Sequence, residues 1–515
     1  MSITEASARP ETLGTVTVGT GPLAVDDVVA VARHGASVAL DPTALASVAE
    51  GRAIIEGLAA DPEPHYGIST GFGALATTFI AEDRRAQLQA SLVRSHAAGS
   101  GTEVETEVVR ALMLLRLSTL MTGRTGVRPI VAETYAAMLN AGIAPIVREY
   151  GSLGCSGDLA PLAHCALAAM GEGEVRMLTA GSTSEVTDAS AALAAAGIAP
   201  LRLGEKEGLA LINGTDGMLG MLALALHDLR RLLTTADVAA AMSVEGLIGT
   251  DAVFAEDLHA LRPQRGQARS AANLRAMLAG SPIVASHKGP ECTRVQDAYS
   301  LRCAPQVHGA ARDTIDHAAS VADAELASAI DNPVLTLDGR VESNGNFHGA
   351  PVGYVLDFLA IAVADVASMS ERRTDRFLDK ARNQGLPPFL AHEVGVDSGL
   401  MIAQYTAAGI VSELKRLAVP ASVDSIPSSA MQEDHVSMGW AAARKLRRAI
   451  DGLERVIAIE LLTAARGLAL RAPLVPGVAT GAVVAAVTDV SGGPGPDRYV
   501  SPEIEAVTAI VRSGP

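Results

Sequence analysis

Aromatic residues are scarce in this chain of 515 residues. Phe, Tyr and Trp together make up 3%, so Ala, Leu, Val and Ile must fill the core. Strands favour aromatic side chains, and a core this poor in rings indicates closely packed helices rather than a β-sandwich. Hydrophobic residues make up 49% and charged residues 19%, which excludes a disordered chain.

Cysteines and basic residues are also few. The four cysteines, at positions 155, 165, 292 and 303, form no Cys-x-x-Cys pair. This spacing fits neither a zinc site nor a disulfide framework, and it is typical of a reducing cytoplasm. The formal net charge of −16 repels phosphate backbones, so we expect no nucleic-acid partner. No motif indicates a metal or nucleotide requirement.

The sequence lacks the pattern of a targeting signal. Its first fourteen residues are polar and partly acidic, which is atypical of signal and transit peptides. Residues 352–371 are apolar enough to cross a bilayer, but Asp357 and Asp365 favour a buried core helix. We therefore expect a cytoplasmic protein with no membrane association.

The pattern of Pro, Gly and apolar residues predicts three parts: a flexible tail (1–14), a mixed part (15–205) and a long-helix part (206–515). Short segments of the mixed part predict a strand, a helix, and a hairpin followed by an Ala-rich helix and a strand. These segments are 15–19, 26–35 and 174–203. Pro-poor stretches after residue 205 predict long helices, which need partners along their length. These stretches are 207–246, 306–332 and 433–471. The predicted fold is mainly α, a bundle of long helices.

The most informative segment is Gly-Ser-Leu-Gly-Cys-Ser-Gly-Asp-Leu-Ala-Pro-Leu-Ala-His at residues 151–164. One interpretation is a glycine loop that leads into a helix, with Asp158 as the N-cap and Pro161 in the first turn. A hydrolase nucleophile elbow does not fit, because Gly157 directly follows Ser156 whereas that motif needs a residue between them.

The triplet Cys155-Ser156-Gly157 allows another chemistry. A glycine amide nitrogen, with no Cβ beside it, can attack the carbonyl carbon two residues earlier. Cyclisation and loss of two water molecules, one of them from the Ser156 hydroxyl, would leave a five-membered ring with an exocyclic methylene. Such a ring is an electrophile, which no ordinary side chain provides.

Segment 151–164 resembles the histidine and phenylalanine ammonia-lyases, which form 4-methylidene-imidazol-5-one (MIO) autocatalytically from such a triplet. The usual family triplet is Ala-Ser-Gly, so Cys155 is a departure. Because the ring uses only the backbone carbonyl of residue 155, the ring chemistry is unaffected. Other segments resemble the family in the same order along the chain: 66–73, 206–215, 296–302, 345–348 and 432–435.

The resemblance implies a helical fold with a central bundle like that of aspartases and fumarases, and a smaller mixed N-terminal part that carries the MIO loop. It implies a homotetramer with active sites shared between subunits. Cys155, Ser156 and Gly157 would form MIO, and Tyr66 would remove the β-proton of the substrate. Arg302 would bind the substrate carboxylate, a task suited to a planar bidentate donor; the alternative is a surface salt bridge.

Four further residues carry roles that the resemblance implies. Asn213, Gln296 and Tyr299 would hydrogen-bond around MIO and the substrate, with Tyr299 among the catalytic residues. Phe347 would pack beside MIO. The spacing of three residues from Gln296 through Tyr299 to Arg302 predicts that these side chains share one side of a helix.

Three residues distinguish the substrate. Aromatic ammonia-lyases carry an apolar or His-Leu pair in place of Ser95-His96, and Gln in place of Glu433. An imidazole ring needs a partner for each nitrogen, and Glu433 and His96 can supply these partners. Phenylalanine would leave these polar groups unpaired. The resemblance therefore implies elimination of ammonia from L-histidine to give trans-urocanate, the first step of histidine degradation.

Alternatives remain open at this point. The same prosthetic group serves tyrosine and phenylalanine ammonia-lyases and aminomutases. The chain could also be a helical scaffold without activity. His96 could be a core histidine and Glu433 a residue on a helix surface.

Overall fold

A computed structural model describes residues 14–71, 78–179, 182–183, 185–289, 292 and 295–514. All but the last residue of the predicted tail, and Phe72 and Gly73 of the segment 66–73, lie outside these residues. The described chain forms nineteen α-helices and ten short strands, so the predicted mainly-α fold class is confirmed.

The chain divides into two compact units, each assembled from three stretches. Unit 1 contains Met1–His227, Ser320–Tyr354 and Ala421–Arg444, and unit 2 contains Asp228–Ala319, Val355–Pro420 and Lys445–Pro515. The three-part division predicted from the sequence follows chain order and stays a prediction.

Unit 1 holds the ten strands and eight complete helices. The strands are Thr15–Val18 (β1), Ser37–Leu40 (β2), Ser100–Glu103 (β3), Ile143–Pro145 (β4), Arg148–Tyr150 (β5), Glu174–Thr179 (β6), Ser182–Thr183 (β7), Thr187–Asp188 (β8), Val334–Leu335 (β9) and Val341–Glu342 (β10). The helices are Val25–Ala32 (α1), Pro42–Ala60 (α2), Glu82–His96 (α3), Thr106–Met121 (α4), Pro129–Asn140 (α5), Leu159–Ala169 (α6), Ala189–Ala195 (α7) and Glu207–Ala210 (α8).

The strands form small sheets at the edges of these helices. β1 and β2 pair in parallel across α1, whereas β3 pairs with β5 and β9 with β10 in antiparallel. β6 pairs in antiparallel with β4, β7 and β8, which confirms the predicted hairpin. The predicted strand at 200–203 is wrong, because Leu201 N donates to Ala169 O at the end of α6 instead of joining a strand.

Four long helices each begin in a stretch of one unit and end in a stretch of the other: Asp216–Gly246 (α9), Ala304–Leu326 (α14), Ala350–Leu378 (α15) and Gly439–Ala469 (α17). The remaining helices belong to unit 2: Glu256–Ala260 (α10), Arg265–Leu278 (α11), Pro282–Ala285 (α12), Tyr299–Arg302 (α13), Met401–Leu417 (α16), Val478–Ser491 (α18) and Ser501–Ser513 (α19). Short 3₁₀ turns lie at Ala252–Phe254, Pro388–Leu390 and Ser429–Met431. The prediction of long helices is confirmed.

Two predicted long helices have different bounds in the structure. The stretch 207–246 is divided into α8 and α9 by a turn at 211–215. The helix predicted over 433–471 begins only at Gly439, because Met438 has a φ of +54° and its amide donates to Leu153 O. Both interruptions lie beside the loop at 151–158.

Helix α15 covers the apolar segment considered as membrane-spanning. It is long and apolar enough to cross a bilayer, but 61% of its most apolar window is buried inside the structure. Lys445 Nζ donates to Asp357 Oδ1 at 2.8 Å, so this carboxylate has a cationic partner in unit 2. Burial and pairing of this kind are typical of the core helix of a soluble protein.

Candidate active site

The loop at 151–158 joins β5 to α6 and packs tightly against the turn that precedes α9. Gly157 has a φ of +78°, and a Cβ there would lie 2.0 Å from Gly214 O, so no other residue type fits. Asp158 N donates to Gly214 O at 2.7 Å. In the described chain the amide of Gly157 donates to no group, and its nitrogen is therefore free to react.

Asp158 fixes this loop through its side chain. It stands at the N-cap position of α6, as one interpretation of the sequence proposed, but its carboxylate does not cap that helix. It accepts instead from Met218 N at the start of α9 and from Ser152 Oγ, both at 2.8 Å. Burial raises the pKa of Asp158 to about 7, although these hydrogen bonds act in the opposite direction.

Glu433 lies against the triplet 155–157. Its carboxylate accepts from Cys155 Sγ at 3.1 Å, Ser156 Oγ at 3.0 Å and Ser428 Oγ at 2.7 Å. A backbone bridge between Ser428 and Glu433 holds the carboxylate in place. Glu433 is not on a helix, so the alternative of a helix-surface residue is wrong.

Cys155 is buried together with Val436 and Met438. Burial, and next the hydrogen bond to Glu433, raise the pKa of the Cys155 thiol to about 12. The thiol is therefore protonated near neutral pH. A thiolate is the reactive form of cysteine, so this environment does not activate Cys155 as a nucleophile.

Asn213 is buried in the turn between α8 and α9, beside the loop. Its backbone oxygen accepts from Arg116 Nη1 at 2.8 Å, and its Nδ2 donates to Leu209 O at 3.3 Å. Arg116 is fully buried on α4 and pairs with Asp216 at the start of α9. Such a buried pair is costly to break, and it fixes the turn that touches Gly157.

Tyr66 lies in a half-buried turn that opens the segment 66–73. A backbone bridge between Thr70 and Phe79, with Gly71 N donating to Thr78 O at 2.9 Å, places residues 70–71 beside residues 78–79. Gly67 has a φ of +73° and packs against Leu209, close in sequence to Asn213. The backbone next to Tyr66 is thus packed against the helix that precedes Asn213 in unit 1.

Ser95 and His96 end helix α3 and line a cavity of about 410 Å³. His96 Nδ1 lies 2.9 Å from Leu92 O, which can only accept, so Nδ1 carries the proton and Nε2 is an acceptor. Burial lowers the pKa of His96, while the bond to Leu92 and the charge of Glu433 act in the opposite direction. The cavity is lined by Gly71, Thr78, Ile80, Leu88, Ser91, Leu92, Ser95 and His96.

Phe347 is half-buried in the segment that precedes α15. Two residues later, Gly349 N donates to Gly154 O at 3.1 Å, which joins this segment to the loop. Ser437 Oγ donates to the same oxygen at 2.8 Å. Unit 1 thus brings five of the predicted site residues together by direct contact or through an adjacent residue: Cys155, Ser156, Gly157, Asn213 and Glu433. Ser95 contacts His96, and the charge of Glu433 acts on the pKa of His96.

Gln296, Tyr299 and Arg302 belong to unit 2 and contact one another there. Arg302 Nη2 donates to Gln296 Oε1 at 2.8 Å, and the guanidinium lies 4.7 Å from the centre of the Tyr299 ring. Helix α13 covers only Tyr299–Arg302, so the prediction that Gln296 shares this helix is wrong. The buried Nε of Arg302 has no partner in the described chain, and Arg302 makes no ion pair there.

Sequence reasoning named Asp158 only as a helix cap, and it missed the other two residues that hold the loop in place, Ser437 and Arg116. Asp158 accepts a hydrogen bond from Met218 N, and Ser437 Oγ donates to Gly154 O inside the loop. Arg116 donates to Asn213 O in the adjoining turn. The position of Asp158 directly after the triplet was a sequence signal for its role in this loop. The other two are remote in sequence and carry no local pattern. Within the described residues, no group of three or more His, Cys, Asp or Glu side chains is arranged to hold a metal.

Comparison with known proteins places this geometry in a family. The family model "Aromatic amino acid lyase" matches residues 23–489. Over 503 residues the chain is 63% identical to the histidine ammonia-lyase of Streptomyces griseus, with 97% of each chain covered. The solved histidine ammonia-lyase from Trypanosoma cruzi is 39% identical with a TM-score of 0.88, and covers 97% of this chain and 93% of its own. The tyrosine aminomutase from Streptomyces globisporus is 36% identical with a TM-score of 0.90, and covers 97% of each chain. This match over nearly the full length, together with the fold and the 151–158 loop, shows that the chain belongs to the aromatic amino acid lyase family.

Proposed function

We propose that this chain is a carbon–nitrogen lyase that eliminates ammonia from L-histidine to give trans-urocanate, the first step of histidine degradation. The observation that carries this proposal is the position of Glu433, an imidazole-binding residue type, against Ser156 of the triplet. Its charge also acts on the pKa of His96. Relatives with 63% and 50% identity, from Streptomyces griseus and Gloeobacter violaceus, are named histidine ammonia-lyase.

We infer that Cys155, Ser156 and Gly157 form MIO, because the local geometry fits this group. The Gly157 nitrogen is free of hydrogen bonds in the described chain, and its positive φ excludes a side chain that would obstruct ring closure. Ser156 Oγ, the hydroxyl that must leave, is held by Glu433. Once formed, MIO supplies an electrophile that makes the substrate amine a leaving group.

The side chains of this chain perform the remaining steps. Tyr66 accepts the β-proton of the substrate. Arg302 binds the substrate carboxylate in two places, and its unpartnered Nε leaves donor capacity for this task. Glu433 accepts from a ring N–H of the substrate, and His96 contacts the other ring nitrogen.

Asn213, Gln296 and Tyr299 position MIO and the substrate through hydrogen bonds, and Phe347 packs beside the group. Asn213 is suited to this because its buried backbone is fixed by Arg116. Ser95 hydrogen-bonds to His96 at 3.1 Å and holds its ring. The residue roles are thus divided between binding the imidazole and orienting the reacting carbon atoms.

We also propose a cytoplasmic homotetramer with active sites shared between subunits. Tyr299, a proposed site residue, is 70% exposed in the single chain, so a neighbouring copy can reach it. All four cysteines are free thiols, which suits a reducing compartment.

The alternative is a tyrosine or phenylalanine ammonia-lyase or aminomutase that uses the same group. The structural likeness to the tyrosine aminomutase favours it. Ser95, His96 and Glu433 oppose it, because a phenyl ring would leave their polar groups unpaired and a phenol offers one polar atom where an imidazole offers two.

One experiment tests the proposal. The purified chain is incubated with histidine, tyrosine and phenylalanine, and urocanate, cinnamates and β-amino acids are measured while intact mass reports the loss of two water molecules. We expect the protein to show this mass loss. We expect product from histidine and none from tyrosine or phenylalanine. Turnover of tyrosine or phenylalanine in preference to histidine would overturn the assigned substrate, and an unchanged intact mass would overturn MIO formation.

A further inference from the structure

Three helices of unit 2 surround a small cavity that the proposed reaction does not use. It has a volume of about 200 Å³ and lies between α9, α11 and α14. Pockets for drug-sized ligands measure roughly 300–1,000 Å³, so this one suits a smaller molecule. Its lining is Arg230, Leu233, Arg265, Gly266, Arg269, Arg312, Ile315 and Asp316.

Close packing of α11 on α14 creates this arrangement. A Cβ at Gly266 would lie 2.1 Å from Gly309 O, so the two backbones are in direct contact. Residues four apart lie on one face of a helix, which brings Arg265 and Arg269 of α11 to face Arg312 of α14. Gly266 N donates to Asp313 Oδ1 at 2.9 Å and fixes the start of α11.

The charge of this lining is unusual for an acidic chain. It contains four arginines and one carboxylate, Asp316, whereas the whole chain has a net charge of −16. In the part of the chain that the structure describes, Arg230, Arg265 and Arg269 make no ion pair. Arg312 is paired with Asp237, so the other three guanidinium groups lack a described counter-charge, and an anion in the cavity would supply one.

Two details of the site favour an anion further. Arg312 is only 6% exposed, and two of its nitrogens are fixed by Ser270 and Asp237 at 3.0 Å and 2.6 Å. Its guanidinium is therefore pre-positioned at the cavity. Arg265 is the first residue of α11, where a cation opposes the helix dipole and an anion is stabilised.

We propose that this cavity, which we name the arginine pocket, binds a small phosphate-class anion: inorganic phosphate, pyrophosphate or the phosphoryl group of a small metabolite. Guanidinium groups match phosphate oxygens in pairs, and the volume excludes a large ligand. The site lies outside the residues assigned to the lyase reaction, so the proposal is independent of the proposed function.

Isothermal titration of the assembled protein with inorganic phosphate, pyrophosphate and ribose 5-phosphate tests the arginine pocket. We expect saturable binding of at least one of them, with one site per chain and an affinity that falls with added salt. The anion that binds most tightly shows whether the pocket takes free phosphate, pyrophosphate or the phosphoryl group of a metabolite. An absence of saturable binding for all three would overturn the proposal.

Substitutions locate the site. Arg269→Gln should weaken binding about tenfold and the double variant Arg265→Gln/Arg269→Gln more, because each loses a charge-assisted hydrogen bond. Arg262→Gln removes the same charge from an exposed position three residues before α11 and should leave binding unchanged. Thermal unfolding without ligand confirms that each variant is folded. Equal affinity in the double variant and the wild type would contradict the proposal.

Discussion

Ser156 donates its hydroxyl hydrogen to Glu433 Oε1 at 3.0 Å, so the residue that would lose its hydroxyl is bonded to the residue that would hold the substrate ring. Ring formation would remove this hydroxyl oxygen and leave Oε1 without its bond from Ser156. The same carboxylate oxygen would then be available to a ring N–H of histidine. The Ser156 hydroxyl and the substrate ring N–H would thus use the same carboxylate oxygen in turn, one before ring formation and the other after it.

Glu433→Gln should impair the turnover of histidine and leave MIO formation intact. Loss of a charge-assisted hydrogen bond costs about 1.5–3 kcal/mol, so kcat/KM should fall roughly ten- to a hundredfold. Urocanate formation measures the activity, and intact mass reports MIO. Asp434→Asn is the matched control, because it removes the same charge from the exposed adjacent residue. Unchanged kinetics on histidine would remove Glu433 from the site.

Substitutions in the triplet separate side chain from backbone. Ser156→Ala removes the hydroxyl whose loss creates the methylene, so activity should fall by many orders of magnitude and the two-water mass loss should disappear. Cys155→Ala keeps the backbone carbonyl and should retain the mass loss and most of the activity, because the buried thiol, with its pKa raised to about 12, is not a nucleophile. The reverse pair of results would identify Cys155 as the reactive group.

The sequence predicted the loop at 151–158, but it did not predict where the helix that follows Glu433 begins. Local patterns gave the loop at 151–158, because three consecutive residues carry the chemistry. They did not give the break before Gly439, because Met438 leaves helical geometry to donate to Leu153, a residue far away in the chain. Helical periodicity records local preference, and tertiary contacts of this kind override it.

Arg302→Lys should weaken substrate binding although the charge is retained. A lysine has no planar fork, and it cannot both donate to Gln296 and pair with a carboxylate in two places. We expect KM for histidine to rise about tenfold or more, with intact mass unchanged. Arg262→Lys, at an exposed position of the same unit, serves as the control. Unaltered KM and kcat would show that the carboxylate is bound elsewhere.

Mixed assemblies test whether active sites combine residues of two subunits. Tyr66→Phe and Tyr299→Phe, in units 1 and 2, should each be inactive alone because each removes a proposed catalytic hydroxyl. Co-expression of the two variants should restore a measurable part of the activity, since some shared sites would then contain both tyrosines. Mixing the separately assembled proteins is the control. Activity that stays absent after co-expression would indicate sites built within one chain.

Asp158 should make the stability of the protein depend on pH in a defined direction. Its pKa is raised by burial from 3.8 to about 7 in the folded state, so the folded chain holds a proton that the unfolded chain has lost between these values. The associated stability is present below about pH 4 and is lost as the pH rises to about 7, by at most about 1.4 kcal/mol per pH unit. Asp158→Asn cannot lose this proton and still offers an oxygen to Met218 N. Relative to this variant, the wild type should therefore become less stable in urea unfolding as the pH rises from about 4 to about 7. A difference between wild type and Asp158→Asn that does not change with pH would mean that Asp158 is ionised throughout and holds the loop as a charged cap.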